Sequence, residues 1–448
     1  MLKSFTLKNF KSFKEDTLTL TPTVTFLIGA NGSGKSNALE ALRLLNCLGK
    51  GESLRDIENN VNSQAPIIRG PASELIRRGE MFFALEAMVD ESSQEELFFS
   101  SAIGFDKQND TFEKKHNLVF LSEELKTSLD KVIYSSIENE KSNPLSEVVK
   151  AFSTAQGQAL FIGLNALTLL VSSVQPPIPQ QRLKEINNGT MTLKRHFSNI
   201  IFGNFNPEKM RGYYRQMDTV RLSESGDNLS AVLAKLCQDF QIKQGILDFI
   251  RSLPEQDIRD ITFSVTDTGY VMVQMEEGFQ ASQNSMTSFA LSDGTLRALA
   301  IAAALYGAPK GSLVVIEEVD NGIHPSRIKH LVDKMYEIAA ERKIQILVTT
   351  HDPAMMDAIP PQEKGNILCC YRNKEDGCSS ILRLQDSPQY MDFLTNGRLG
   401  SFVATELFDK LVRQTEEERA KEHKAWFEQY QKEQDDYYEK LRQALKED

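Results

Sequence analysis

Short apolar runs alternate with amphipathic stretches along much of this chain. Residues 24–28 form an apolar run that ends at Gly29, and a stretch of helical composition follows at residues 37–46. Two further apolar runs, at residues 312–316 and 344–348, flank an amphipathic segment whose apolar residues share one helical face. Buried strands that alternate with helices are typical of a parallel sheet. The pattern therefore predicts an α/β fold with a parallel sheet at its centre.

Alternation of apolar and polar residues at a period of two predicts further strands outside this central sheet. Such alternation occurs near the N-terminus, in residues 81–105 and in residues 261–275, where the chain turns at Asp267–Gly269. A turn that contains glycine between two alternating runs is typical of a β-hairpin. From about residue 106 to residue 215 helical stretches dominate instead. The strongly charged residues 405–448 have one thin apolar seam, which predicts a charged amphipathic helix.

The composition is that of a folded, acidic protein. The 448 residues include 51 Lys and Arg against 62 Asp and Glu, a formal net charge of −11. This charge disfavours indiscriminate binding to nucleic acid. The five cysteines are irregularly spaced and predict free thiols rather than a disulfide framework or a zinc site. Since no apolar run reaches the ~20 residues of a membrane span and the N-terminus lacks a signal-peptide core, we expect a cytoplasmic protein without membrane contact.

One segment has the pattern of a phosphate-binding loop. Residues 29–36 read Gly-Ala-Asn-Gly-Ser-Gly-Lys-Ser and lie between a predicted buried strand and a predicted helix. Glycines allow consecutive main-chain N–H groups to face a phosphate, and the helix N-terminus adds a positive dipole. Lys35 is expected to reach the β- and γ-phosphates of ATP, and the Ser36 hydroxyl to bind Mg²⁺. The predicted ATP-binding residues are Asn31, Gly32, Ser33, Gly34, Lys35, Ser36 and Asn37.

Two acids and a histidine follow the other two apolar runs. Glu317 and Glu318 come directly after the run at residues 312–316, and His351 follows the run at residues 344–348. In an open α/β sheet these strand ends lie at the edge where ligands bind. We assign Glu317 to the Mg²⁺ shell, Glu318 to the attacking water and His351 to the γ-phosphate.

These motifs, taken together, resemble a known class of enzymes. The phosphate loop is accompanied by residues 291–296 (Leu-Ser-Asp-Gly-Thr-Leu), residues 316–325 (Ile-Glu-Glu-Val-Asp-Asn-Gly-Ile-His-Pro) and residues 349–351 (Thr-Thr-His). This set resembles the ABC-type ATPases of the RecF and SMC class. More narrowly, it is similar to the stand-alone AAA-family ATP-binding proteins of bacterial antiphage operons, such as the ATPase subunits of the Septu and PARIS systems.

The resemblance implies an ABC-type ATPase head, in which a parallel core carries the phosphate loop and an antiparallel β lobe flanks it. The head is predicted in two parts, residues 1–105 and residues 216–404, which are separated by a mainly helical insertion at residues 106–215. The charged helix at residues 405–448 follows the head. We call residues 291–296 the signature segment.

The resemblance also implies a homodimer, or a higher homo-oligomer, in which two copies enclose two ATP molecules and the signature segment of each copy completes the site of the other. On this basis Ser292, Asp293 and Gly294 are predicted to meet the γ-phosphate held by the partner copy. Asp320 is predicted to lie at the dimer seam, and His351 to act as the switch histidine.

The chain departs from the pattern of the class at two places. Asp293 and Thr295 stand where the signature usually has glycine and glutamine, and Glu317 stands where the Mg²⁺-binding acid is usually Asp. The class also has a glutamine that reaches the metal, for which Gln156 and Gln158 are both candidates.

Two hypotheses of function follow. In the first, the ATPase is a regulatory or sensor subunit of an antiphage defence complex that controls a separate effector, a nuclease or a toxin. In the second, it is a DNA-maintenance ATPase of the RecF type that clamps duplex DNA. Residues 194–221 interleave basic side chains with aromatic rings and are the candidate nucleic-acid surface, although we favour an ordinary surface whose aromatic residues lie in the core.

Overall fold

The computed structural model describes residues 1–61, 68–90, 96–105, 118–128, 132–135, 180–251, 258–279, 282–373 and 376–387. Its strands form a twelve-stranded mixed sheet and a smaller four-stranded sheet. The strands are β1 (Leu2–Phe10), β2 (Phe13–Thr19), β3 (Val24–Ile28), β4 (Phe82–Asp90), β5 (Glu96–Phe105), β6 (Leu118–Thr127), β7 (Val132–Ser135), β8 (Ile200–Gly203), β9 (Tyr214–Arg215), β10 (Ile258–Val265), β11 (Tyr270–Phe279), β12 (Ser282–Thr287), β13 (Leu313–Ile316), β14 (Gln345–Thr350), β15 (Leu368–Arg372) and β16 (Ser379–Arg383). The helices are α1 (Lys35–Lys50), α2 (Leu54–Val61), α3 (Gln180–Ser198), α4 (Pro207–Met210), α5 (Leu229–Leu236), α6 (Phe240–Arg251), α7 (Asp293–Gly307), α8 (Pro325–Arg342) and α9 (Pro353–Ala358).

The predicted parallel sheet is confirmed as one half of the large sheet. Its strands run in the order β15, β3, β14, β13, β8, and each neighbouring pair is parallel. The other half, β7-β6-β5-β4-β1-β2, is antiparallel and contains the strands predicted at the N-terminus and at residues 81–105. The α/β class is therefore confirmed, and the antiparallel part corresponds to the expected β lobe.

Alternate side chains of the central strands belong to two separate hydrophobic cores, one on each face of the sheet. Val314 and Ile316 of β13 belong to one apolar core, which α7 and α8 cover. Leu313 and Val315 of the same strand belong to a second core, which α1 covers. Because successive side chains of a strand point to opposite faces, a strand between two helical layers is apolar throughout.

The predicted hairpin at residues 261–275 is also confirmed. It consists of β10 and β11, with Ile261 opposite Met275 and Val265 opposite Val271. Strand β12 pairs with residues 274–279 of β11, and β9 pairs with Tyr270 and Val271 at the beginning of β11. These two strands complete the smaller sheet.

The prediction for residues 106–215 is corrected in part. The described residues of this range include β6 and β7, which extend the antiparallel half of the large sheet, and β8, which forms the outer edge of its parallel half. Strand β6 pairs with β5 and β7 pairs with β6, each its neighbour along the chain, whereas β8 pairs with β13, far away in the chain. Strand formation depends on such pairing, which local composition does not reveal. Helix α3 does lie in this range, whereas residues 136–179, Gln156 and Gln158 among them, and residues 405–448 lie outside the described residues.

Gln345 joins the two halves of the large sheet. Its buried side chain accepts a hydrogen bond from the Leu2 N–H (2.9 Å) and donates to the carbonyls of Leu2 and Thr21 (both 2.9 Å). Leu2 begins β1 in the antiparallel half, and Gln345 begins β14 in the parallel half. One side-chain amide therefore bonds to the main chain at Leu2 and Thr21 and links the two halves. Among the described residues, no helix combines the length and apolarity that crossing a membrane requires.

We expect Gln345→Leu to destabilise the fold by about 1–3 kcal/mol, because it leaves buried main-chain groups without partners. Urea denaturation of the full chain measures this free energy of unfolding. Gln362→Leu, at an exposed position, is the matched control. Equal stability of the two variants would contradict the bridging role of Gln345.

Candidate active site

The phosphate loop connects β3 to α1, as the sequence predicts. Gly32 and Gly34 have φ values of 78° and 119°, which favour glycine. Gly29 and Gly34 also lie against β15 and β16: an added Cβ would come within 2.2 Å of the Cys370 carbonyl oxygen at Gly29 and within 2.3 Å of the Ser379 hydroxyl at Gly34. The loop therefore requires glycine for close approach as well as for its backbone conformation.

Lys35 begins α1 and folds over its own loop. Its Nζ atom donates to the carbonyls of Gly29 (2.6 Å) and Ala30 (3.0 Å). Burial lowers the pKa of the Lys35 ammonium, whereas the nearby Glu318 and Asp320 carboxylates oppose this shift. Both hydrogen-bond acceptors are neutral carbonyls, which phosphate oxygens replace favourably because charge-assisted hydrogen bonds are stronger. The loop thus fits a nucleotide phosphate.

The remaining loop residues lie at the surface or against the β1–β2 turn. Asn31, Gly32 and Ser36 are exposed, whereas the Ser33 Oγ atom is buried and has no hydrogen-bond partner among the described residues. Asn37 donates to the Ser12 hydroxyl (2.8 Å) in the β1–β2 turn. The exposed face of the loop is therefore available to a nucleotide, and Asn37 anchors its helix to the antiparallel half.

Ser36 and Glu317 lie on the wall of one cavity of about 590 Å³. Ser36 is in the first turn of α1, which follows β3, and Glu317 follows β13. Strands β3 and β13 flank β14 in the parallel sheet, so their carboxyl ends lie at the same edge. A hydroxyl and a carboxylate are ligands that Mg²⁺ accepts, together with substrate phosphates. This pair therefore fits the predicted metal site.

Asn204 and Asn206, which the sequence analysis missed, line the same cavity. They follow β8, whose last residue Gly203 is level with Ile316 and accepts a hydrogen bond from the Glu317 N–H (2.9 Å). If β8 had been recognised as a strand beside β13, the two asparagines would have been predicted at this edge of the sheet. Four residues are too few for the hydrophobic pattern alone to identify a strand.

The sequence analysis also missed Arg43, which lies on the same face of α1 as Ser36, about two turns further along the helix. Its side chain is only 8% exposed and donates to Glu317 Oε1 and to Glu224 Oε2, both at 2.6 Å. Its guanidinium carbon lies 4.4 Å from the ring centroid of Phe202, which adds a cation–π contact. Arg43 thereby holds one carboxylate oxygen of Glu317, a residue that lines the cavity.

Glu318 has an unusual backbone conformation. Its φ is 46°, in the left-handed region, and its N–H donates to the Thr349 hydroxyl (3.0 Å) of β14. A non-glycine residue in this region carries a strain that its surroundings must sustain, and such positions cluster at active sites. The Glu318 side chain is exposed, as a carboxylate that meets an attacking water must be.

His351 and Asp320 lie on the loops beside Glu318. His351 is exposed and directly follows β14, whereas Asp320 is buried, with one carboxylate oxygen that has no hydrogen-bond partner in the described part of the chain. The Val319 N–H donates to the Thr349 carbonyl (3.2 Å), which ties the loop after β13 to the end of β14. The structure thus brings Glu317, Glu318 and His351 to one edge, as predicted.

The signature segment lies against the loop after β13. Ser292 is the N-cap of α7, since its hydroxyl accepts from the Thr295 N–H (3.1 Å). Gly294 is so close to this loop that an added Cβ would lie 2.6 Å from the Gly322 carbonyl oxygen. The segment is therefore packed beside the acids of its own chain, with Asp293 exposed.

Residues 194–221 are less available to nucleic acid than their composition indicates. Phe197 and Phe205 are buried core residues. Arg211 and Arg221 donate to main-chain carbonyls of this chain, Arg221 to Ile200 at 3.2 Å. Lys194, Arg195, Lys209 and Arg215 are exposed, and so is Arg221 despite its hydrogen bond to Ile200.

Comparison with known proteins places most of this chain in one family. The family model described as "AAA domain, putative AbiEii toxin, Type IV TA system" matches residues 24–357, from β3 to the end of α9. The chain belongs to this family. The match contains the phosphate loop, the signature segment, the paired acids and His351.

Individual relatives of this AAA-domain protein point the same way. An ATP/GTP phosphatase of Helicobacter pylori is 21% identical over 367 residues, which cover 80% of this chain and 87% of the relative. The DNA replication and repair protein RecF of Rhodococcus erythropolis is 40% identical over 73 residues, 16% of each chain. A solved SMC head bound to the C-winged helix domain of ScpA covers 85% of this chain and 97% of its own, at 15% identity and a TM-score of 0.48. Together, the family and the phosphatase relative identify the chain as an ATPase.

Arg43→Met is expected to lower the free energy of unfolding by about 1.5–3 kcal/mol, because hydrogen bonds to charged groups are lost and two carboxylates are left without their shared cation. Urea denaturation measures the loss, with Arg215→Met at the exposed end of β9 as control. If both variants unfold alike, Arg43 does not organise the Glu317 carboxylate.

Proposed function

We propose that this ATPase binds Mg²⁺ and ATP between the phosphate loop and the edge formed by β8, β13 and β14. Lys35 and the loop N–H groups hold the phosphates. Ser36 and Glu317 would hold Mg²⁺, with Asn204 beside them, whereas the Asn206 side-chain oxygen already accepts a hydrogen bond from the Glu208 N–H (3.0 Å). When bound, Mg²⁺ neutralises part of the charge on the β- and γ-phosphates.

We further propose that Glu318 orients and deprotonates the attacking water and that His351 donates to a γ-phosphate oxygen. The observation that carries this assignment is the φ of 46° at Glu318, which the hydrogen bond to Thr349 sustains. That bond fixes the backbone of the acid relative to β14, the strand that ends at His351. A base and a donor fixed to neighbouring strands need little rearrangement during the reaction.

The catalytic unit that we propose is a homodimer. Ser292, Asp293 and Gly294 of one copy would complete the site of the other, with Asp320 at the seam. The signature segment packs at Gly294 against Gly322, in the same loop as Asp320, and this shared location on the chain supports the arrangement.

For the biological role, we propose a regulatory ATPase of a defence system that controls a separate effector protein. The words toxin and TA system in the description of its family support a defence role, and the net charge of −11 disfavours a general affinity for DNA. The alternative, a DNA clamp, is supported by the partial matches to RecF proteins.

These two roles are separated by ATP turnover with and without linear duplex DNA. Slow turnover that DNA does not change supports a partner-controlled ATPase. Strong stimulation by DNA supports the clamp and directs attention to Lys194, Arg195, Lys209 and Arg215.

We expect Glu318→Gln to reduce ATP turnover by about 10²–10⁴-fold, the usual contribution of a general base. Binding of ATP should persist, because the phosphate loop and Glu317 are unchanged, and an ATP-bound dimer should accumulate. Phosphate release and sedimentation velocity measure the two effects, with Glu341→Gln on the exposed face of α8 as control. Turnover near the wild-type rate would remove Glu318 from its assigned role.

A further inference from the structure

Arg211 makes an unusual set of contacts with the chain before the signature helix. It lies between α4 and β9, and its Nη1 atom donates to three main-chain carbonyls, those of Ser288 (3.2 Å), Phe289 (3.1 Å) and Leu291 (2.7 Å). Its Nη2 atom donates to the Asp293 carboxylate, with which it forms an ion pair. One guanidinium therefore holds four acceptors within six residues.

The neighbouring residue strengthens this attachment. The Gly212 N–H donates to the Ser288 hydroxyl (2.9 Å), and an added Cβ at Gly212 would lie 3.2 Å from the ring of Phe289. Residues 211–212 thus support residues 288–293 from behind. The loop of residues 288–293 is nevertheless accessible to solvent, because Phe289 is 62% exposed and the Asp293 side chain is 66% exposed.

The guanidinium is suited to this task. Its donors lie in one rigid plane, so several acceptors at fixed positions are satisfied together, whereas a lysine ammonium is a point charge on a flexible stem. A loop that is held before its ligand arrives loses less conformational entropy on binding. The contacts therefore organise the backbone that leads into Ser292 and Gly294.

We propose that Arg211 is a positioning residue, which holds residues 288–293 in the conformation that engages ATP bound to a second copy of the chain. This inference rests on the proposed homodimer. It also gives Asp293, where the class has glycine, a definite role as the anchor of Arg211. Arg211 is thereby assigned to this loop rather than to a nucleic-acid surface.

The test compares Arg211→Gln and Arg211→Lys with Arg215→Gln, an exposed arginine four residues further on, all in full-length Glu318→Gln protein so that ATP is retained. We expect binding of a fluorescent ATP analogue to the monomer to stay within about twofold of the parent, because the phosphate loop is untouched. ATP-dependent dimerisation, measured by sedimentation, should weaken at least about tenfold, since the loop must then be ordered when the second copy binds. Lysine should restore little of it.

Two further measurements separate positioning from misfolding. Amide hydrogen exchange in residues 288–296 should quicken in Arg211→Gln while exchange in β13 and β14 is unchanged. Asp293→Asn, which keeps the three carbonyl contacts, should weaken dimerisation less than Arg211→Gln does.

The outcomes that would overturn the inference are distinct. A parent that stays monomeric with ATP would overturn the proposed homodimer itself. A parent that dimerises, together with an Arg211→Gln form that dimerises equally well, would overturn the role of Arg211 alone. Loss of duplex DNA binding in Arg211→Gln without any change in dimerisation would assign the residue to nucleic acid instead.

Discussion

The parallel pairing of β3, β14, β13 and β8 is the constraint on which the rest of this structure depends. Parallel strands end at the same edge of a sheet, so whatever follows each strand is brought to one place. The phosphate loop follows β3, His351 follows β14, the two acids follow β13, and Asn204 follows β8. The order of the parallel strands therefore brings residues more than 300 positions apart in the chain to one edge of the sheet.

Two arginines act on this edge by the same physical means. Arg43 holds Glu317 and Arg211 holds the loop before the signature helix, and each uses the planar guanidinium to satisfy several acceptors at once. The net stabilisation from either ion pair is small, because desolvation opposes the attraction at the buried Arg43 and solvent screens it at the exposed Asp293. The larger effect is geometric, since a carboxylate or a carbonyl bonded to a rigid fork has few alternative positions.

The two departures from the pattern of the RecF- and SMC-like class coincide with these arginines. Glu317 stands in place of Asp and bonds to Arg43, and Asp293 stands in place of glycine and bonds to Arg211. A glutamate extends one methylene further than an aspartate and so reaches both Arg43 and the cavity. At both positions the residue that is unusual in the sequence is explained by a contact in the fold.

The sequence by itself determined the local chemistry of this protein. Gly29 to Ser36, the acids after residue 316 and the histidine after residue 350 form motifs whose spacing encodes strand, turn and helix, and these were found where they were expected. Strand β8 could not be assigned in this way, because it is short and is stabilised by β13, far away in the chain. Residues 118–135 were expected within a helical insertion, but β6 and β7 continue the antiparallel sheet from β5. Arg43, Thr349 and Arg211 gained their roles only in the tertiary structure. Each of them acts through a side chain that crosses between elements, and such contacts depend on distances that the order of residues along the chain does not contain.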